Sequence, residues 1–241
     1  MNIRRKLLVV LASSAALLAS VPGAANADSA AADALGIDVS NHNGEVDFAK
    51  VGADGRDFAF VLATDGESFT SDLFDSQYSG AGEAGLYRAG YHFARPDGSA
   101  TKQADRFLKT VGSTNDGRTM PPVLDMEANP NGATCYGLDD AQMEEWIKSF
   151  VGRVKEKTGR EAVIYTSPSF WKECTGNSEA FTTNPLWTAE WDVDKPSKVG
   201  GWPAHTFWQY SNSGKVDGVD GAVDVNRFNG GTAELEKFVK G

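Results

Sequence analysis

The 241-residue chain is poor in cysteine, with two, and poor in histidine, with three. Two thiols cannot build a disulfide-dense scaffold or a four-thiolate zinc site. His42, His92 and His205 are scattered, and none forms a two-histidine metal spacing. No H-E-x-x-H, C-x-x-C, G-x-S-x-G or Walker sequence is present, which disfavours a metal-dependent deacetylase or endopeptidase and predicts no metal or cofactor. Basic residues are scarce too: 23 Lys and Arg stand against 33 Asp and Glu, a net charge of -10 at pH 7. Binding nucleic acid without regard to sequence needs a cationic footprint on phosphate, so that class is disfavoured. No charge block, low-complexity tract or internal repeat divides the chain. What is abundant is core material, 41% hydrophobic and 10% aromatic, which excludes a disordered or fibrous polypeptide.

The first residues carry an address. Arg4-Arg5-Lys6 precedes an apolar run from Leu7 to Val21 and then Ala25-Asn26-Ala27. A basic start, a short apolar stretch and an A-x-A site describe a secretory signal peptide over residues 1–27. The run is too short, and too interrupted by serine, for a membrane span. Arg4-Arg5 is compatible with twin-arginine as well as general export. The leader carries three basic and no acidic residues, so the 214 residues of 28–241 keep 20 basic against 33 acidic groups, a net charge of -13. A secreted, extracellular protein without a membrane anchor after cleavage is expected. In an oxidising compartment the only two thiols, Cys135 and Cys174, are expected to pair. Closing that loop stabilises by about 4 kcal/mol in the chain-entropy model.

Eight short apolar runs read as strands: 36–40, 58–64, 89–94, 122–127, 162–166, 186–190, 205–210 and 222–226. Near-continuous apolar character is that of strands buried on both faces. Between the early runs the period turns helical, at Phe74/Tyr78/Ala81 and at Ala104/Phe107/Leu108/Val111. The clearest stripe is Met143, Trp146, Ile147, Phe150, Val151 and Val154, with Asp139 or Asp140 to cap it and Gly159 to end it. The later connections, 192–204 and 211–221, are rich in Gly, Pro and Asp and carry no stripe. The pattern predicts an α/β fold: a modified TIM-like barrel of five β/α units followed by three further strands. One domain over 28–241 is shorter than the about 250 residues of a complete (β/α)₈ barrel.

The segment Val123-Leu124-Asp125-Met126-Glu127 runs an apolar strand into two carboxylates at i and i+2, which share a face because the strand period is two. Ordinary strands avoid stacking like charges, and a barrel places its chemistry at strand ends. Asp38 lies in the first strand and Asp224 in the last, which are neighbours in a closed barrel, so four carboxylates converge on one mouth. Any one of them taken alone could equally cap a loop or bind a backbone amide. Tyr91, Tyr165, Trp187, Trp191, Trp208 and Tyr210 share these strand ends, and aromatic faces beside acids suit sugar rings. Of the aromatics, Trp187 and Phe207 are assigned to the core.

With these residues in place the chain resembles the Chalaropsis-type lysozymes, the N-acetylmuramidases of glycoside hydrolase family 25. The resemblance spans about 36–228 and is carried by Gly36-Ile37-Asp38-Val39-Ser40, by 89–96 (AGYHFARP), by Leu124-Asp125-Met126-Glu127, by Phe207-Trp208-Gln209-Tyr210 and by 223–228 (VDVNRF). It implies hydrolysis of the β-1,4 bond between N-acetylmuramic acid and N-acetylglucosamine in peptidoglycan glycan strands, and a monomer is expected. It implies Glu127 as general acid, Asp125, Asp38 and Asp224 completing the acidic site, and Tyr91 and Tyr165 flanking substrate. Trp191, Trp208 and Tyr210 are the further expected substrate contacts. The chain departs from the family at His42-Asn43-Gly44, where Trp-Gln-Gly is common.

The pKa of Glu127 is expected to be raised by Asp125 and by burial. Spacing alone does not separate retaining, inverting and substrate-assisted routes. A non-catalytic barrel that binds wall carbohydrate is the alternative, opposed by the Asp125/Glu127 pair. Gly80–Gly85 matches G-x-G-x-x-G, but a helical stripe precedes it and a strand follows, the reverse of a dinucleotide site.

Overall fold

The computed structural model describes residues 32–241, and the expected leader lies outside the described residues. Barrel strands β1 (Leu35–Val39), β2 (Phe58–Asp65), β4 (Tyr87–Phe93), β5 (Val123–Asp125), β6 (Val163–Thr166), β7 (Leu186–Ala189), β8 (Phe207–Gly214) and β9 (Val223–Phe228) close through a β1–β2 pairing. A two-residue β3 (Phe69–Thr70) adds to β2 outside the barrel. The first seven barrel strands pair in parallel, whereas β9 is antiparallel to both β8 and β1.

Helices return the chain after each of the first five barrel strands: α1 (Phe48–Ala53), α2 (Phe74–Glu83), α3 (Ala100–Val111), α4 (Asp140–Thr158) and α5 (Pro168–Thr175). The expected architecture is therefore the observed one. Asp139 caps α4, its carboxylate accepting the Gln142 N–H while Gln142 reaches back, and Gly159 ends the helix with φ at 72°. Two features differ from expectation. The stretch read as loop from 211 begins as strand, because β8 runs on to Gly214 in a bulged hairpin with β9. A sixth helix, α6 (Thr232–Lys240), follows β9.

Two apolar layers hold this frame. Outside the barrel, Phe107, Trp146, Ile147 and Phe150 of α3 and α4 cover the strands. His92 is buried among them. It stacks on Phe150, and its Nδ1 accepts from the Thr64 hydroxyl at 2.8 Å while Nε2 donates to Gln103 Oε1 at 2.9 Å. Burial lowers its pKa to about 4, so this histidine is a neutral structural bridge. Inside, the Phe207 ring lies 5.2 Å, centroid to centroid, from both Phe58 and Phe228, and Phe238 of α6 closes on Phe207 at 5.5 Å. Phe58 and Phe207 begin parallel strands and Phe228 ends the antiparallel one, so this plug fills the end where the parallel strands start. Gly36 permits it: a Cβ there would lie 2.3 Å from the Phe58 ring.

Candidate active site

The opposite end of the same interior is polar. Alternation along β1 turns Asp38 inward above Gly36, and alternation along β5 does the same for Asp125 above Val123. Asp224 reaches this end by a different route. It is the second residue of β9, and because β9 runs antiparallel its start lies at the mouth, where Asp224 pairs in register with Asp38. Glu127 follows β5 by two residues. All four carboxyls line one cleft of about 800 Å³, with Tyr91, Tyr165, Trp187 and Trp191. Past Glu127, Tyr165 and Trp191 the surface continues into a second hollow of about 430 Å³, walled by Thr134, Ser167 and Glu173.

Hydrogen bonding within the cleft converges on two amides. Gln209 Nε2 donates to both Asp38 oxygens, at 3.0 and 3.2 Å, and lies 3.5 Å from Asp224 Oδ2. Its Oε1 accepts from the Tyr165 hydroxyl at 3.1 Å and the Trp191 indole at 3.0 Å. Asn226 Nδ2 donates to Asp38 Oδ2 at 2.7 Å, and Trp187 Nε1 fixes that amide by donating to its Oδ1 at 2.8 Å. Trp187 thus belongs to the core, stacked on Phe60 at 4.1 Å, while its ring edge floors the cleft. Asp125 Oδ1 is buried and has no hydrogen-bond partner among the described residues.

Clustering acids away from water makes them hard to ionise. Burial pushes the Glu127 carboxyl up to about 7, helped by the charge of Asp224 and opposed by Arg95. Burial raises Asp125 well above the usual carboxylate range, and the Glu127 charge adds to it. The expected interaction of the pair is present: repulsion between Asp125 and Glu127 is mutual and disfavours ionising both, and Asp224 adds to it at Glu127. Asp38 is raised mainly by burial and then by Asp224, against the lowering hydrogen bonds from Asn226 and Gln209. Asp224 is raised by burial, the more moderate for being less enclosed. Burial also raises Tyr91 and Tyr165 well above the normal phenol range, so both keep their protons.

Among the described residues Arg95 is the only Lys or Arg lining the cleft. Its Nε and Nη2 grip Asp65 at 2.6 and 2.7 Å, and its guanidinium lies 4.4 Å from the centroid of the Phe93 ring. Gln103 clamps the Arg95 backbone from behind through both N–H and C=O, which ties the buried His92 network to the cleft wall. Cys135 and Cys174 form the expected disulfide, Cα atoms 5.3 Å apart, joining the loop after Glu127 to α5. Among the described residues no group of three or more His, Cys, Asp or Glu is arranged to hold a metal ion.

Of the expected aromatics, Tyr91, Tyr165 and Trp191 stand in the cleft and two do not. Trp208 and Tyr210 alternate with Phe207 and Gln209 and so face outward, where Arg227 lies 5.8 and 4.5 Å from their ring centroids. Trp208 donates to the Glu190 carbonyl at 2.8 Å. Neither is among the residues that line the cleft, and both pack against Arg227. The residue between them, Gln209, is the one that reaches the acids. Arg95 and Asp65 were likewise unassigned. His42 lines the cleft at the position where the chain departs from the family pattern.

Comparison with known proteins agrees with this geometry. The family model for glycosyl hydrolases family 25 matches residues 37–219. Lysozyme M1 of Streptomyces globisporus is 46% identical over 83% of this chain and 69% of its own length. The N,O-diacetylmuramidase of Chalaropsis sp. is 42% identical over 78% of this chain and 95% of its own. The crystal structure of the bacterial lysozyme from Streptomyces coelicolor superposes with a TM-score of 0.85 at 44% identity, covering 86% of this chain and 97% of that one. The chain belongs to family 25 of the glycosyl hydrolases.

Proposed function

We propose that this protein is an exported, monomeric muramidase that cleaves the β-1,4 bond between N-acetylmuramic acid and N-acetylglucosamine in bacterial peptidoglycan. The observation that carries the reading is Glu127: a carboxyl with a pKa of about 7, in a cleft that also holds Asp125, Asp38 and Asp224. A carboxyl that keeps its proton up to neutral pH is equipped to donate it to a leaving oxygen.

In the proposed route Glu127 protonates the glycosidic oxygen as the C1–O bond breaks. The carbonyl oxygen of the sugar's own 2-acetamido group bonds to C1, held in line by a hydrogen bond to Asp125. Water then attacks C1 and gives a proton to the Glu127 carboxylate, the ring formed by the acetamido group reopens, and the acid is restored. Asp125 Oδ1, buried and without a hydrogen-bond partner among the described residues, is available for that contact. Asp38 and Asp224 supply hydrogen bonds and negative potential beside the developing positive charge at C1. Tyr91, Tyr165 and Trp191 flank the sugars, the exposed Trp191 offering a face for stacking.

Export follows from the expected leader over 1–27, and residues 28–241 form the proposed catalytic domain. Among the described residues no helix is long and apolar enough to cross a membrane. With a net charge of -13 after leader removal, binding to anionic walls rests on local contacts with the glycan rather than long-range attraction. Incubation with purified walls tests the reading: new reducing muramic acid ends support it. Reducing glucosamine ends would make the protein a glucosaminidase, and retention on walls without any new ends a binding module.

A further inference from the structure

Gln209 is 2% exposed, yet neither its position nor its chemistry is that of a core residue. Its one amide touches Asp38, Asp224, Tyr165 and Trp191, on four different elements of the mouth. The polarity of that amide is determined by its neighbours. An indole N–H can only donate, so the atom facing Trp191 must be the carbonyl oxygen, and the NH2 is left for the aspartates. The reverse orientation would set C=O against the Asp38 carboxyl and NH2 against an indole N–H. Because Oε1 only accepts, the neutral Tyr165 hydroxyl must spend its single proton on Gln209. What Tyr165 then offers the cleft is a lone pair.

We infer that Gln209 is a positioning residue for the reaction: its oriented amide holds Asp38 and Asp224 by N–H donation and turns the Tyr165 hydroxyl into a hydrogen-bond acceptor facing the cleft. The group this acceptor suits is an N–H of the substrate, and an amide-bearing sugar presents one. The inference rests on the proposed muramidase reading for its substrate, but the oriented amide itself is a property of the free protein.

Two variants separate orientation from mere bulk. Gln209→Glu keeps an acceptor for Tyr165 and Trp191 and regains a donor toward the aspartates only when protonated. Gln209→Leu has neither. On walls, Gln209→Glu is expected to fall at least about 30-fold below wild type at pH 8 and to recover to within about fivefold at pH 5, while Gln209→Leu stays low at both. Equal deficits for the two variants at every pH would overturn the inference. In the free protein the Trp191 indole N–H, on a side chain 43% exposed, is expected to exchange slowly with solvent in wild type and fast in Gln209→Leu. Equally fast exchange in both would also overturn it. If Gln209→Leu does not fold, Trp191→Phe takes its place, since it removes the donor that dictates the orientation. Combined with Gln209→Glu it should be non-additive, and additive effects would count against the coupling. A wild type inactive on walls would sink the proposed function and leave the exchange result standing.

Discussion

The two ends of this barrel are built from the same strands and the same inward alternation, yet one is hydrocarbon and the other acid. On β8, Phe207 fills the closed end and Gln209, two residues on, enters the cleft. On β9, Phe228 belongs to the plug and Asp224 to the mouth. On β1 the pair is Gly36 and Asp38. The closed end is stabilised by burial of aromatic surface, at about 25 cal/mol per Å². The mouth holds carboxyls that ionise with difficulty, a state that only the rest of the fold can maintain. Stability is thus concentrated at one end and chemistry at the other, and the two should respond separately to substitution.

The sharpest separation is expected at Glu127. Glu127→Gln removes the proton donor and should lower the initial rate on walls by about 10²–10⁴-fold, with wall binding largely intact. Its Tm should not fall, because the change removes a charge that burial and Asp224 disfavour. A nearly normal rate would sink the assignment. The converse holds at the plug: Phe207→Ala should cost about 3–5 kcal/mol, read by denaturant unfolding, while the folded fraction keeps its rate. A Phe207→Ala protein that is fully folded but inactive would break the division between the ends.

The disulfide lies between these extremes, since it braces the loop after Glu127 from α5. Replacing both Cys135 and Cys174 by Ala should lower stability by about 2–4 kcal/mol, measured against the oxidised protein. Its effect on rate should be smaller than its effect on Tm.

The same asymmetry appears in how much the sequence revealed. Both the strands and the acids were legible, because short apolar runs and charged residues at strand ends are unusual enough to stand out. Gln209 was not, because an uncharged amide carries no such signal and its aromatic neighbours, Trp208 and Tyr210, draw attention instead. Parity could have found it: placing Phe207 in the core already commits Gln209 to the interior and its two neighbours to the outside. Asp224 stands out as an acid in the last strand, but its route to the mouth depends on the reversed direction of β9, which no local pattern reports. α6 has Leu235, Phe238 and Val239 at helical spacing, a stripe of three that is too short to stand out.

A further effect, of about 1–3 kcal/mol, concerns pH. Glu127 has a folded pKa of about 7 against an ordinary carboxyl value of 4.5. The folded state therefore holds this proton more tightly than the unfolded chain does. Stability from this group is greatest below about pH 4.5 and is lost as pH rises to about 7, and the other raised acids add in the same direction. Wild type should melt lower at pH 7 than at pH 5, and Glu127→Gln should narrow the difference. Activity should fall over the upper part of the same range, as the acid loses its proton. A rate that rises steadily past pH 8, or a Tm no lower at pH 7 than at pH 5, would contradict this expectation.

The smallest effect is the one that tests strand parity itself. Trp208, the second residue of β8, and Trp191, in the loop after β7, are both large aromatics near the mouth, and only Trp191 lines the cleft. Trp208 packs outside the barrel with Tyr210 and Arg227, so Trp208→Phe should change the rate on walls by less than about twofold and cost roughly 1 kcal/mol for the lost bond to the Glu190 carbonyl. Trp191→Phe keeps a ring but loses the indole bond to Gln209, and should reduce the rate by about tenfold with little change in Tm. If the two variants lose activity equally, the outward face of β8 is not reserved for packing. If only Trp191→Phe does, then alternation along β8 has set Trp208 to packing, as it divides Gln209 from its two neighbours.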